Sequence, residues 1–124
     1  FYFLEGAPDF SVERINYSGQ GSTHQLTYDS THLTGTQGDG DNQVYDPKDI
    51  SCDADSRVYI LDVLSTGQPV VKIYDSDMNY IGQVGDSVSI SGTPLRLDVD
   101  EGDGEVHVAH TDGVSIFRCC ELPF

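Results

Sequence analysis

Short runs of β-branched and aromatic residues alternate along this chain with turns rich in glycine, aspartate, asparagine and serine. This pattern is typical of β-strands joined by tight turns. No segment has the sustained i, i+3, i+4 apolar spacing of an amphipathic helix. The sequence therefore predicts an all-β protein with ten strands. They are expected over residues 2–5, 12–17, 24–28, 49–52, 57–63, 70–75, 80–84, 95–100, 105–110 and 114–118.

The candidate strands recur as one repeated unit. A period of 43–48 residues with four short strands in each unit is typical of the blades of a β-propeller. The shortest offset, 43 residues, occurs because the second hairpin of the last unit contracts to residues 111–113. The aligned segments are 47–53 with 94–100 at an offset of 47, 57–62 with 105–110 at 48, 72–74 with 115–117 at 43, 2–5 with 59–62 at 57, and 14–16 with 72–74 at 58.

Three of the strands are apolar on both faces. Residues 58–61, 70–74 and 106–109 form nearly continuous apolar runs, as expected for strands that are covered from both sides. A two-sheet sandwich, which is the alternative all-β fold, would alternate more cleanly between apolar and polar positions. The sequence therefore predicts antiparallel four-stranded blades of a β-propeller.

The repeats divide the chain into one propeller segment with three blades. The first blade is partial (residues 1–46), the second is complete (47–93) and the third is partial (94–124). Propellers close with four to eight blades, and six blades of this repeat length need roughly 270 residues. A chain of 124 residues is therefore expected to form an incomplete ring. The ring is expected to be completed in one of two ways. Either the chain forms a homo-oligomer, as a dimer with six blades, or the remainder of a longer chain supplies the missing blades.

Charge narrows the range of partners. The chain has 6 Lys and Arg residues against 21 Asp and Glu residues, a net charge of −15. This balance argues against nucleic acid, whose phosphates need a basic surface, and against anionic membranes. It predicts an acidic, soluble protein, for which secretion is one option and the compartment stays open. Cys52, Cys119 and Cys120 are expected to be buried free thiols, with a disulfide between Cys52 and one of the other two as the alternative.

Several segments resemble the NHL-repeat family of β-propellers. The glycine- and aspartate-rich stretch 35–47 is similar to the connection that leads into the next blade of that family. Val58-Tyr59-Ile60-Leu61-Asp62 resembles its second strand, and residues 71–77 with 80–85 resemble its third and fourth strands. The resemblance covers nearly the whole chain. It implies a ligand face beside a central channel, where related six-bladed propellers carry Ca²⁺ or Zn²⁺.

Three strand-end residues are the candidate ligand-binding set. Glu5, Asp62 and His110 end the second strands of their units, and alternate connections of a meander lie on one face of a blade. They could form a polar ring for a protein or small ligand. The alternative is that each side chain hydrogen-bonds its own loop, as short polar residues at strand ends do.

Metal binding has weaker support in the sequence. Asp39 and Asp41 are candidates for Ca²⁺, a hard cation that takes oxygen ligands. The stretch around them lacks the pattern of an EF-hand, and a turn that uses the positive φ of glycine is the alternative. No other cofactor is expected. The remaining aspartates of the hairpin turns are expected to be solvated turn residues: Asp53, Asp55, Asp75, Asp77, Asp100 and Asp103.

The sequence favours a non-enzymatic binding or scaffolding module of the NHL type that closes a ring by self-association. It contains no nucleophile elbow, paired-carboxylate motif or phosphate-binding loop, so no catalytic residue is predicted. His107 and His110 are three positions apart on a strand and so face opposite sides, which prevents them from binding one metal together. The alternative function is a metal-dependent (Ca²⁺ or Zn²⁺) hydrolase or lyase of the six-bladed type.

Overall fold

The computed structural model describes residues 2–5, 11–18, 25–32, 37–100 and 102–124. Side chains are described from residue 37 onward, except those of residues 101 and 119. Within these ranges the chain is all-β and antiparallel, with a single 3₁₀ helix, η1, over Cys119–Glu121. The predicted fold class is confirmed at this level. The strands are β1 (Tyr2–Glu5), β2 (Ser11–Ser18), β3 (Gln25–His32), β4 (Asp46–Cys52), β5 (Val58–Val63), β6 (Pro69–Tyr74), β7 (Tyr80–Val84), β8 (Pro94–Val99), β9 (Val106–His110) and β10 (Gly113–Phe117).

The strands form three consecutive meander sheets. The first sheet is β1-β2-β3, the middle sheet is β4-β5-β6-β7, and the third sheet is β8-β9-β10. Each strand pairs with its neighbours in the sequence, so tight hairpins are enough to join them. The three sheets therefore contain three, four and three of the described strands.

The strand registers show that the middle and third sheets repeat the same unit. Pro47 lies opposite Asp62 in the middle sheet, and Pro94 lies opposite His110 in the third sheet. In both sheets a register shift follows the proline directly. A β-bulge at the same position twists both sheets in the same way, so the offsets of 47 and 48 residues hold in three dimensions.

The first sheet follows the repeat with a one-residue correction. Tyr59 lies opposite Ile73, whereas Tyr2 lies opposite Arg14. The alignment at an offset of 58 places Ile15 there and is therefore wrong by one residue. The similarity of Arg14 to Lys72 suggested that alignment, but the first hairpin is two residues shorter than the middle one. A register shift follows Arg14 as it follows Ile73, which supports the corrected equivalence.

The middle sheet is buried on both faces. Its strands β5 and β6 are almost completely inaccessible to solvent, and their side chains alternate between two clusters. The first core, shared with the third sheet, includes Tyr59, Leu61, Val71 and Ile73. The second core, on the opposite face, contains Val44, Val58, Ile60, Tyr74 and Met78. Each such side chain contributes roughly 1.5–3 kcal/mol when it is fully buried, and a two-sheet sandwich would leave one of these faces to solvent.

Strand β4 contacts both other sheets, the third through β8 and the first through β1. The Asp49 carboxylate joins β4 to β8, since its Oδ2 accepts a hydrogen bond of 2.8 Å from the Leu97 N–H. Its Oδ1 accepts the Ile50 N–H at 2.9 Å. The first strands of the middle and third sheets are therefore held together by a direct polar contact.

The residues after β10 leave the third sheet. Leu122 packs into the first core, and Pro123 lies so close to Gly82 on β7 that a Cβ there would come within 2.8 Å of the proline ring. The Phe124 ring lies 4.1 Å from the Arg57 guanidinium, a cation–π contact. This segment therefore covers the edge of the first core and does not pair with β10.

Candidate functional site

The connections that the sequence places on one face are joined in pairs. In the middle unit, both carboxylate oxygens of Asp39 accept hydrogen bonds from Ser65, one from its N–H at 2.8 Å and one from its hydroxyl. In the third unit, Thr111 N–H donates to the Thr93 carbonyl at 3.0 Å, and the Thr111 hydroxyl accepts the Thr93 N–H at 2.9 Å. We call these connections, residues 37–45, 64–68, 85–93 and 111–112, the loop face.

Asp62 lies beneath the loop face and is completely buried. Its carboxylate accepts hydrogen bonds from the Tyr45 N–H at 3.0 and 3.1 Å and from the Asp46 N–H at 2.8 Å. Burial raises the pKa of Asp62, and these hydrogen bonds and the nearby Lys72 charge oppose that shift. In this structure the carboxylate thus holds the backbone of its own loop, which matches the alternative role proposed from the sequence.

Lys72 is a buried cation that the sequence analysis did not identify. Its Nζ lies 3.6 Å from Asp62 Oδ2 and donates to the carbonyls of Gly40 at 3.0 Å and Gln43 at 2.6 Å. The Tyr74 hydroxyl donates to the Asp41 carbonyl at 2.7 Å. A buried charge needs a partner and further hydrogen bonds, and these contacts supply both. The only sequence signal was a lysine inside the apolar run 70–74.

His110 occupies the position in the third unit that Asp62 has in the middle unit. Its Nε2 lies 2.9 Å from the Ser115 hydroxyl, which donates to the Ser89 carbonyl. The Ser115 hydroxyl therefore contacts both the His110 ring and the Ser89 carbonyl. Nδ1 is buried and has no hydrogen-bond partner among the described residues. His110 therefore joins β9 and β10 to the connection 85–93.

Glu5 ends β1 and lies opposite Ser11, as Asp62 lies opposite Val70. The backbone thus places Glu5 at the same position of its unit as Asp62, while its side chain lies outside the described part of the structure. A ligand ring formed by Glu5, Asp62 and His110 stays a prediction. Asp62 uses its carboxylate and His110 its Nε2 for contacts within the protein.

The two calcium candidates have different surroundings. Asp39 is bonded to Ser65, whose hydrogen bonds lower the pKa of the Asp39 carboxyl. Asp41 is exposed, and its backbone carbonyl accepts a hydrogen bond from the Tyr74 hydroxyl. Gly38 and Gly40 do not have positive φ. They leave space for the Gln43 side chain, which a Cβ at either position would meet within 3 Å, so close packing is the reason for glycine here.

A separate acidic group lies in the turn between β8 and β9. Single oxygens of Asp100, Asp103 and Glu105 lie within 4.8 Å of one another, a spacing that could hold a metal ion. However, Asp100 Oδ1 accepts the N–H groups of Gly102 at 2.8 Å and Asp103 at 3.2 Å. Glu105 pairs with Arg118 at 2.8 Å. The group is therefore accounted for by turn geometry and an ion pair.

Aspartates at the start of turns accept backbone hydrogen bonds. Asp53 bonds the N–H groups of residues 55 and 57, and Asp75 bonds those of residues 77 and 79. Asp86 does the same for residues 88 and 89. These are Asx-type turns, so Asp53, Asp75 and Asp100 close their turns and are more than solvated side chains.

The two described thiols are free and differ in exposure. Cys52 is half-buried beside the second core, and burial raises the pKa of its thiol. Cys120 is exposed in η1, so the expectation that it is buried is wrong. The reason is that the chain leaves the third sheet directly before it.

Comparison of the chain with protein-family models, with curated proteins and with solved structures finds no match. In the described part of the chain, no helix has the length and apolar character needed to cross a membrane. Functional inference therefore depends on the geometry of the sheets and of the loop face.

Proposed function

We propose that this chain is a non-enzymatic binding and scaffolding module of the NHL-propeller type, which completes a ring by self-association. The observation that carries the proposal is the burial of the middle sheet on both faces, one of which packs against the third sheet. Repeated sheets that bury both faces only by stacking need further sheets to cover the ends of the stack. Two copies of the chain would supply six.

The contacts of β4 with both other sheets also support a ring. In a propeller the blades are arranged around a central channel, and β4 contacts both β8 and β1. The same bulge follows Pro47 and Pro94, so successive units have the same shape. Identical units related by a constant rotation generate a closed ring when the rotation closes.

The ordered loop face supports a binding role. Asp39 bonds the connection 37–45 to the hairpin at Ser65, and Asp62 bonds the end of that connection to β5. Thr93 and Thr111 bond the connections 85–93 and 111–112 to each other. Loops that are rigid before binding lose less conformational entropy when a partner docks. A protein or small ligand is the proposed occupant of this face, with the loops as the recognition elements.

The mass of the native protein in solution tests the ring. Sedimentation equilibrium from about 1 to 100 µM should give twice the mass of one chain, and small-angle scattering should give a compact disc. A folded monomer over the whole concentration range would contradict self-association. A dimer with an elongated scattering profile would contradict the ring.

A metal-dependent hydrolase or lyase of the six-bladed type is the second candidate, supported by the equivalent strand-end positions of Glu5, Asp62 and His110. Metal analysis of the purified protein separates the two. A stoichiometric Ca²⁺ or Zn²⁺ ion, whose removal by a chelator abolishes hydrolytic or lyase turnover, would favour the enzyme. A metal-free protein that keeps its fold and its dimer would favour the binding module.

A further inference from the structure

We propose that the outer face of the third sheet is the surface that docks a second copy of this chain. This inference rests on the proposed self-association and identifies the surface responsible for it. The outer face is the side of β8–β10 that points away from the first core. It consists of Arg96, Asp98, His107, Ala109, Val114 and Ile116.

The registers identify the counterparts of this face in the middle sheet. Val114 lies opposite Ala109, and Val71 lies opposite Leu61. In the next row, Ile116 lies opposite His107, and Ile73 lies opposite Tyr59. The four outer-face positions Ala109, His107, Val114 and Ile116 therefore correspond to Leu61, Tyr59, Val71 and Ile73.

Burial of these counterparts differs sharply between the two sheets. Val71 and Ile73 are 0% exposed, because the third sheet packs on them through the first core. Val114 and Ile116 are 64% and 37% exposed. Neighbouring apolar side chains that face solvent on an ordered sheet are typical of an interaction surface.

No described segment of the chain covers this face. The residues after β10 turn to the opposite side, where Leu122 enters the first core. Strand β10 pairs with β9 alone among the described strands, although its counterpart β6 pairs with both β5 and β7. No described strand occupies the fourth position beside β10 either.

Continuity with the interface inside the chain favours another sheet of the same kind as the occupant. The middle sheet presents Tyr59, Leu61, Val71 and Ile73, and another sheet of this chain covers them with Leu97, Val99, Val106, Val108 and Phe117. Because the outer face presents the same positions in the same register, a sheet with the same alternation fits it. A second copy supplies such sheets.

Arg96 is a candidate polar contact between the outer face and a docked sheet. Arg96 stands at the position of Asp49, since Arg96 lies opposite Ala109 as Asp49 lies opposite Leu61. Asp49 reaches across to β8, whereas the Arg96 guanidinium is exposed and donates to the Leu95 carbonyl. Arg96 therefore offers hydrogen-bond donors to acceptors on a docked sheet.

The test compares Val114→Asp with Ala54→Asp. Both substitutions add one carboxylate at an exposed position, and Ala54 lies in the turn between β4 and β5, outside the outer face. We expect Val114→Asp to raise the dimer dissociation constant at least 100-fold by sedimentation equilibrium, and Ala54→Asp to change it less than threefold. Arg96→Glu should raise it at least 10-fold, and added salt should reduce this effect.

The outcomes separate this inference from the proposed function. If the wild type dimerises and Val114→Asp dimerises equally well, the docking surface is elsewhere, while self-association stands. A wild type that is monomeric at all concentrations overturns both. Amide hydrogen exchange of the wild type gives a measurement without substitutions. The β10 amides should gain protection above the dissociation constant, and unchanged protection would overturn the inference.

Discussion

At the residue scale, the buried pair of Asp62 and Lys72 connects the middle sheet to the loop face. Both side chains lie within the apolar strands β5 and β6, where an unpaired charge is costly. The two side chains form hydrogen bonds with four backbone groups of the connection 37–46. The main effect of the pair is therefore to fix where that connection lies above the sheet.

Lys72→Met should destabilise the protein by about 3–5 kcal/mol, because it leaves the buried Asp62 carboxylate and two carbonyls without their cation. Urea unfolding measures the change. The control is Lys48→Met, which removes an exposed ion pair with Asp46 at 2.9 Å and should cost less than about 1 kcal/mol. Equal losses in the two variants would contradict the structural role of Lys72.

Ser56→Gly should stabilise the protein. Ser56 has φ of 64°, a left-handed conformation that costs an L-residue roughly 1–2 kcal/mol, and glycine would offset part of that gain through its unfolded-state entropy. The expected net gain is about 0.5–1 kcal/mol by thermal unfolding. Ala54→Gly, in the same turn but without a positive φ, should destabilise by a similar amount. A loss in both variants would show that Ser56 is not strained.

At the element scale, each unit is a meander whose turns are closed by aspartate carboxylates. Hydrogen bonds from Asn79 lower the pKa of Asp75, and hydrogen bonds from Ser89 lower the pKa of Asp86. Burial acts to raise the pKa of Asp53, but hydrogen bonds from Tyr59 and Arg57 outweigh it, and the net shift is downward. The charged forms of these carboxylates therefore favour the folded state.

The free energy of unfolding should fall as the pH drops below about 4. A carboxyl whose folded pKa is lowered stabilises the fold fully above its ordinary pKa of 3.8, and this contribution is lost as the pH falls through the folded pKa. The pKa of Asp62 is raised, so its titration opposes this loss of stability above its ordinary pKa of 3.8. Urea unfolding between pH 3 and 6 measures the slope, which Asp75→Asn should reduce. A slope unaffected by Asp75→Asn would argue against the turn as its source.

At the scale of the whole molecule, repulsion among acidic groups opposes folding. The net charge is −15, and several of the described aspartates lie exposed in turns, among them Asp39, Asp55 and Asp77. Salt screens such charges over about 10 Å at 0.1 M, while the buried Asp62–Lys72 pair is screened much less. Surface and interior electrostatics should therefore respond differently to ionic strength.

Raising NaCl from 0.05 to 0.5 M should increase the free energy of unfolding, because screening relieves the repulsion. Urea is the suitable denaturant, since it is uncharged. The penalty of Lys72→Met should be the same at both salt concentrations. A decrease in wild-type stability with salt would show that favourable surface pairs outweigh the repulsion.

Much of the architecture could be predicted from local patterns. All ten expected strands are present, and the offsets of 47 and 48 residues reappear in the pairings of Pro47 and Pro94. The exceptions are local. β4 begins at Asp46, before its expected start, and the first sheet pairs one residue away from the alignment. The length of the first hairpin sets its register, and the similarity of Arg14 to Lys72 led to an alignment with the wrong register.

The candidate site was less predictable. The sequence located Asp62 and His110 at equivalent strand ends, but whether a carboxylate faces a ligand or a backbone amide depends on how the connection 37–46 folds over it. Lys72 was missed because two of its partners, the carbonyls of Gly40 and Gln43, come from residues about 30 positions away in the sequence. Such partners are brought close by tertiary packing.

By itself the sequence determined the strands, their grouping into repeated units and the apolar character of β5 and β6, because these depend on alternation and turn chemistry within short segments. Only the tertiary structure decided which faces are covered. Val71 and Val114 occupy equivalent positions in equivalent strands, yet one is buried and the other is exposed. The difference arises from the presence or absence of a neighbouring sheet, which no local pattern encodes.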